Sequence, residues 1–163
     1  MPHERNIVLT ICTGNVCRSP MAEKLLQHAL DAEPGPLNQL KTASAGIAAA
    51  FGAPPSENAV AALRKVGLDL ETHRSQPLTE DLVRQSFAIF GMTRTHLEVL
   101  RHAYNDLPER IHLFREFLED DPNPEIPDPY GQTIDAYSVC LDAMIEAVPS
   151  ILSYLRKEYG GGS

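Results

Sequence analysis

The sequence predicts an α/β fold, a single doubly wound domain whose central, mostly parallel sheet has helices on both faces. Four short runs with strand character occur at residues 7–11, 40–47, 87–92 and 110–114. Segments with helical spacing separate them, and strands that alternate with helices pair in parallel. The chain has 163 residues, the length of one domain, since a domain takes roughly 100–200 residues.

The first strand and the first helix are joined by a short loop. Residues 7–11 (IVLTI) are a β-branched apolar run, typical of a buried strand, which ends at Cys12. Residues 12–18 are mostly small or polar and contain a glycine, so they are predicted to be a loop. Ser19 is a good N-cap, and Pro20 loses no needed N–H at the first helical position. A helix is therefore predicted from this pair to about Asp31.

The later helices are predicted by the same cap and stop rules. Ser56 caps a helix over 56–66 that ends at Gly67, and Thr79 caps a short helix near 80–85. Further helices are expected from Thr93 to about Ala103 and from about Thr133 to Arg156. Residues 119–131 hold four prolines and five acidic residues, which predicts a loop; loops of this length are often functional. We expect one domain over residues 1–159 and a flexible tail over 160–163.

Charge and cysteine content narrow the function classes. The chain has 14 basic and 22 acidic residues, a net charge of −8, which disfavours binding to nucleic-acid backbones or anionic membranes. No apolar run approaches the ~20 residues of a membrane span, and the N-terminus lacks a signal-peptide pattern. Three cysteines are too few for a disulfide scaffold. We therefore expect a cytoplasmic protein with reduced thiols, no membrane insertion and no nucleic-acid partner.

The loop after the first strand carries the strongest chemical signal. Residues 12–20 are CTGNVCRSP, and a loop that leads into a helix N-terminus makes an anion site, because its N–H groups converge there. Cys12 stands at the mouth of this loop, where such surroundings stabilise a nucleophilic thiolate. Arg18 can fold back and contact two phosphate oxygens with its planar guanidinium. A cysteine beside an apolar strand is more often inert packing, but the strand, the Gly-Asn turn and the Ser-Pro helix start favour the functional interpretation.

A family resemblance rests on this loop and on four later segments. Residues 11–23, ICTGNVCRSPMAE, resemble the signature of the low-molecular-weight protein tyrosine phosphatases. The later segments follow in family order: Ser44-Ala45-Gly46, His73-Arg74-Ser75, Met92-Thr93-Arg94 and Asp128-Pro129-Tyr130. The resemblance covers residues from about 7 to 155. It implies a phosphotyrosine phosphatase I-like fold, phosphorylated protein or peptide substrates, inorganic phosphate as a product, and no metal or cofactor.

The resemblance also implies roles for individual residues. Cys12 is the nucleophile, Arg18 the phosphate clamp and Asp128 the general acid and base. The implied substrate-binding set is Thr13, Gly14, Asn15, Val16, Cys17, Ser19 and Tyr130, and Ser44 and His73 support Asn15 by hydrogen bonds. From residue chemistry alone, Asp121 is an equal candidate for the acid, because a proline follows it too; Tyr130 and the family position favour Asp128. The other histidines, His96 among them, show no clustering that predicts a role.

The substrate is predicted less directly. Tyr130 should form one wall of the pocket, and Phe51 is either the opposing wall or a core residue. Gly131 and residues 73–82 resemble the protein arginine phosphatase branch, but Val16 lacks the hydroxyl typical there, which favours phosphotyrosine.

The sequence favours two other functions less, arsenate reduction and phosphate binding without catalysis. Arsenate reductase needs a relay of further cysteines, and a non-catalytic phosphate-binding module would not need the complete set of Cys12, Arg18 and Asp128. Cys17 is either a small buried residue or the partner of Cys12 in a protective, redox-sensitive disulfide, for which the family offers precedent. Cys140 is predicted to lie in the core.

Overall fold

The computed structural model describes residues 5–119 and 121–160. A sheet of four parallel strands has the order β2-β1-β3-β4 and consists of β1 (Ile7–Cys12), β2 (Lys41–Gly46), β3 (Ser86–Gly91) and β4 (Arg110–Leu113). In the described part of the chain, five α-helices connect or follow the strands: α1 (Arg18–Asp31), α2 (Glu57–Lys65), α3 (Glu80–Gln85), α4 (Arg94–Ala103) and α5 (Ile134–Leu155). The predicted doubly wound α/β fold is confirmed.

The helices cover both faces of the sheet and enclose two apolar clusters. Val8 and Leu9 point to opposite faces of β1, as alternation along a strand requires. Val8 packs with residues of α1, α2 and α5, whereas Leu9 packs with residues of α3 and α4. The buried polar residue Thr10 donates from its hydroxyl to the carbonyl of Ser19 over 2.8 Å, and so joins β1 to the first turn of α1.

Most of the predicted helix ends are confirmed. The hydroxyls of Ser56, Thr79 and Thr133 each accept a hydrogen bond from the backbone N–H three residues on, as N-caps do. The prediction that Ser19 caps α1 is wrong. The N-cap is Cys17, and Ser19 lies inside the first turn with its hydroxyl turned toward the thiol of Cys12.

The helix α5 supplies a large part of the core. By length and composition, α5 with the turn that follows it (Ile134–Gly160) could cross a membrane, with a mean hydropathy of 1.4. The expectation that no segment approaches this length therefore needs correction, because acids such as Asp135 and Asp142 interrupt the apolar run without lowering its mean much. Here the inner face of α5 packs against the domain and buries Tyr137, Cys140, Leu141, Met144, Ala147, Ile151 and Leu155. The prediction for Cys140 is confirmed.

The strand order places a crevice beside the end of β1. The chain leaves β1 through α1 to β2 on one side, and β3 lies on the other side, so the order reverses at β1. Open α/β sheets bind ligands at the carboxyl ends of strands at such a point. Residues 161–163 of the predicted tail lie outside the described residues, whereas Gly160 ends the π-helical turn Arg156–Gly160.

Candidate active site

The loop between β1 and α1 and the loop before α5 together enclose a cavity of ≈ 260 Å³. Its lining consists of Cys12, Thr13, Gly14, Val16, Cys17, Arg18, Asp128 and Tyr130. Asn15 and Ser19 are fully buried behind this wall. The structure thus brings the sequence-predicted residues to one place, although Asp128 stands more than a hundred positions from the loop that carries Cys12.

The backbone of residues 12–17, here called the phosphate loop, turns its carbonyls outward. Five of these carbonyls have donors outside the loop. The bonds are Ile47 N to Cys12 O (2.9 Å), Ala48 N to Thr13 O (3.0 Å), His73 Nε2 to Asn15 O (2.8 Å), Ser56 N to Val16 O (2.9 Å) and Met21 N to Cys17 O (3.3 Å). In a trans peptide the following N–H points the opposite way, which here is toward the cavity. Within residues 5–119 and 121–160, the N–H groups of residues 13–17 have no protein acceptor. They form a cradle of donors that suits an oxyanion.

The centre of this loop depends on Asn15. Its φ of 58° is in the left-handed region, which asparagine tolerates better than most residues. Its side-chain amide donates to the hydroxyls of Ser19 (2.9 Å) and Ser44 (3.0 Å), and its Oδ1 accepts from the N–H of Gln76 (2.9 Å). With the bond from His73 to its carbonyl, the side chain and the carbonyl of Asn15 are satisfied although the residue has no exposed surface, and its N–H remains directed at the cavity. These bonds offset the cost of the strained conformation.

The hydroxyl of Ser19 is oriented toward the thiol of Cys12. Its oxygen already accepts from Asn15, so its hydrogen is available to Cys12 Sγ, which lies 2.9 Å away. A hydroxyl at this distance donates a hydrogen bond to the Cys12 sulfur and fixes its position at the mouth of the loop. Ser44 in turn donates to Glu23 Oε1 over 2.6 Å, so its hydroxyl hydrogen is engaged with Glu23 and its oxygen accepts from Asn15. Sequence reasoning missed Glu23 and Gln76 as members of this network.

Arg18 places its guanidinium at the floor of the cavity. Only 3% of the residue is exposed, and its Nη1 donates to the carbonyl of Ile126 over 2.9 Å. Its Nη2 lies 3.7 Å from Asp128 Oδ2. The remaining N–H groups of the fork can therefore serve an anion in the cavity, while the bond to Ile126 fixes the plane of the guanidinium.

The two candidate acids of the last loop have different surroundings. Asp128 is half exposed on the cavity wall, and its Oδ1 accepts from the N–H of Tyr130 over 3.0 Å. Asp121 is instead bound to Arg115 over 2.9 Å, away from the cavity. A hydrogen bond from the N–H of Asn123 and the Arg115 guanidinium lower the pKa of Asp121. The geometry therefore separates two residues that sequence chemistry left equal.

Cys17 lines the cavity, but its thiol lies between the N-cap of α2 and a side chain of α5. Its Sγ is 3.2 Å from the Tyr137 hydroxyl and 3.6 Å from Ser56 Oγ. Burial raises the pKa of the Cys17 thiol, and these hydrogen bonds oppose the shift only in part. Burial and the contact with Cys17 also raise the pKa of Tyr137, to about 12. Both groups are therefore neutral at physiological pH, and all three cysteines are free.

The positions of Phe51 and His96 differ from what the sequence led us to expect. Phe51 is 85% exposed and does not line the cavity, so it is neither the second wall nor a core residue. His96, which showed no pattern in the sequence, is buried in α4, and its Nε2 lies 3.0 Å from Thr13 Oγ1. The only sequence signal for His96 is its place three residues after the cap Thr93, where it accepts from the Thr93 N–H over 3.1 Å. That signal indicates a helix start, not a site.

Comparison with known proteins agrees with this geometry. Residues 7–160 match the family model for low molecular weight phosphotyrosine protein phosphatase. A protein-arginine-phosphatase of Bacillus subtilis is 29% identical, over 93% of this chain and 97% of its own. The low molecular weight protein-tyrosine-phosphatase Etp of Escherichia coli is 33% identical, over 81% and 82% of the two chains. The crystal structure of the Erwinia amylovora tyrosine phosphatase AmsI superposes with a TM-score of 0.80 at 30% identity, and the match covers 91% of this chain and 92% of that one. This chain belongs to the low molecular weight phosphotyrosine protein phosphatase family, whose members are hydrolases.

Proposed function

We propose that this protein hydrolyses phosphotyrosine in phosphorylated proteins or peptides through a phosphocysteine intermediate at Cys12. The observation that carries the proposal is the set of unpaired loop N–H groups around Cys12, with Arg18 below it and Asp128 opposite. An oxyanion in this cradle would meet donors on several sides at no cost in reorganisation.

The first step transfers the phosphoryl group to Cys12. The thiolate attacks phosphorus and forms an S–P bond, while the bond from phosphorus to the phenolic oxygen breaks and its electron pair leaves with that oxygen. Arg18 and the loop N–H groups bind the equatorial oxygens. Asp128 gives its proton to the leaving oxygen, and Oδ2 is suited to carry it because Oδ1 accepts from Tyr130.

The second step releases inorganic phosphate. The Asp128 carboxylate takes a proton from a water molecule, whose oxygen forms a new bond to phosphorus as the S–P bond breaks. The electron pair returns to the Cys12 sulfur, which the Ser19 hydroxyl stabilises as a thiolate. Neither step uses a metal or a cofactor.

Two substrate classes compete for this site. The exposed ring of Tyr130 and the aliphatic side chain of Val16 on the cavity wall suit a planar aromatic group. Phosphoarginine is the second candidate, because a protein-arginine-phosphatase is among the relatives at comparable identity. Val16 offers no hydroxyl to a guanidinium, which favours phosphotyrosine.

The test compares a phosphotyrosine peptide with a phosphoarginine peptide, under reducing conditions with a metal chelator. Cys12→Ser and Asp128→Ala serve as inactive controls. We expect turnover of phosphotyrosine that Cys12→Ser abolishes. A preference for phosphoarginine would overturn the substrate assignment and keep the mechanism. Binding of phosphate analogues without turnover of either peptide would indicate a recognition module instead.

Our remaining proposals concern the setting of the enzyme. We infer a cytoplasmic protein without membrane insertion or nucleic-acid partners, on the net charge of −8 and on the burial of the inner face of α5. We also propose that a peroxide oxidises the thiols of Cys12 and Cys17 to a disulfide, itself being reduced to water, and that a thiol reductant reverses the step. Both residues line the same cavity, and the disulfide would protect Cys12 from irreversible oxidation.

A further inference from the structure

A buried histidine outside the proposed mechanism contacts the start of the phosphate loop. His96 is 2% exposed, lies in the first turn of α4, and uses both ring nitrogens. Its Nδ1 accepts from the backbone N–H of Thr93 over 3.1 Å. Since an N–H can only donate, the lone pair is on Nδ1 and the ring proton is on Nε2. The Nε2–H therefore donates to Thr13 Oγ1 over 3.0 Å.

Thr13 is the residue through which this bond acts on the loop. It follows Cys12 directly and lines the cavity. Its carbonyl accepts from Ala48 N, and its hydroxyl accepts from His96, so the residue is fixed from the β2 side and the α4 side. With the carbonyl turned outward, the next peptide N–H, that of Gly14, points into the cavity.

The surroundings of His96 keep it neutral. Burial and then the nearby Arg18 guanidinium lower its pKa to about 4, while Asp128 and Glu125 act in the opposite direction. At neutral pH the ring therefore adds a hydrogen-bond donor beside the cradle without adding a charge.

We propose that His96 is a positioning residue for phosphate binding, which through its bond to Thr13 keeps the first peptide groups of the loop directed at the anion. This inference rests on the proposed function only in taking the cavity as an oxyanion site. It predicts an effect on anion affinity and none on proton transfer to the leaving group, because His96 contacts the loop and not Asp128.

The experiment measures tungstate affinity by calorimetry at pH 7 for five proteins: wild type, His96→Leu, His96→Gln, Thr13→Val and the double variant His96→Leu/Thr13→Val. Each of His96→Leu and Thr13→Val should weaken binding about five- to tenfold, the effect of one hydrogen bond. The double variant should be no weaker than the worse single variant, because both remove the same bond. His96→Gln should stay near wild type, since its amide can accept from Thr93 and donate to Thr13.

A matched control separates positioning from general stability of α4. Tyr104 ends the same helix and donates from its hydroxyl to the carbonyl of Leu78 over 2.9 Å, away from the loop. Tyr104→Phe should lower the melting temperature and leave tungstate affinity unchanged. The rate ratio for p-nitrophenyl phosphate against phenyl phosphate should also stay at the wild-type value in Thr13→Val.

Three outcomes would overturn the proposal. They are unchanged affinity in Thr13→Val, additive losses in the double variant, and a loss in Tyr104→Phe equal to that in His96→Leu. Thr13 lines the cavity and belongs to no helix, so the affinity of Thr13→Val tests the proposal even where His96→Leu fails to fold. Tungstate binding needs no turnover. Wild-type protein that binds tungstate but hydrolyses neither phosphopeptide would therefore refute the proposed function and leave this comparison intact.

Discussion

The stability of the fold should fall in acid because His96 is buried in its neutral form. Its pKa is about 4 in the folded chain, against 6.5 for an unperturbed histidine, and burial is the largest cause. The unfolded chain therefore binds a proton between these two pH values that the folded chain does not. The contribution of neutral His96 to the free energy of unfolding is fully present above pH 6.5 and is lost progressively down to about pH 4. The two values differ by about 2.5 pH units, so at 1.36 kcal/mol per unit the loss is about 3 kcal/mol.

The assay is urea unfolding of wild type and His96→Gln at a series of pH values from 7 to 4. Carboxylates with lowered pKa, such as Asp121, also contribute in acid, but they are present in both proteins and cancel in the difference. We expect the wild-type free energy of unfolding to decline toward pH 4 by about 3 kcal/mol more than that of His96→Gln. Parallel curves would show that His96 titrates normally in the folded state and would refute the argument.

Three further predictions concern the site. Asp128→Asn should lower kcat on a phosphotyrosine peptide by about 10²–10⁴-fold and affect p-nitrophenyl phosphate far less, because that leaving group needs no proton; equal losses in steady-state assays would contradict an acid role. Gly46→Ala should destabilise the fold by about 1–3 kcal/mol in urea unfolding, since its Cβ would lie 2.5 Å from Thr13 O; Gly14→Ala, with 3.9 Å to the nearest atom, should cost less. Cys17→Ser should lose activity irreversibly in peroxide, whereas wild type should recover with a thiol reductant; equal recovery of both would exclude a protective disulfide.

Local signals explain why most of the fold was predictable. Ser56, Thr79 and Thr133 are caps whose partners lie three residues on, so a short window contains the whole interaction. The prediction for Ser19 failed because two other residues of the same loop bind its hydroxyl. Cys12 and Asn15 both contact this hydroxyl, and the helix begins two residues earlier, with Cys17 as its N-cap.

The loop over residues 119–131 also shows that neighbouring residues alone do not determine which acid faces the cavity. Asp121 and Asp128 have matching neighbours in sequence, since each precedes a proline. What separates them is Arg115, which binds Asp121 through Nε and also donates to Glu146 and to the carbonyl of Ala143 on α5. Asp121 thus ties the start of the loop to α5, and Asp128 is left free to face the cavity. No pattern within the loop itself contains that information.

The phosphate loop has a local motif and a conformation maintained from a distance. Residues 7–20 predict an anion site from the sequence, because the strand, the cysteine, the Gly-Asn turn, the arginine and the start of the helix lie within one short segment. The direction of each loop N–H, however, depends on where the preceding carbonyl finds a donor. Those donors come from four separate places: the turn after β2, the cap of α2, His73 and, for the Thr13 side chain, His96 of α4. Substitutions at these supporting positions should therefore weaken anion binding although none of them touches the anion, and a sequence motif alone would not reveal them.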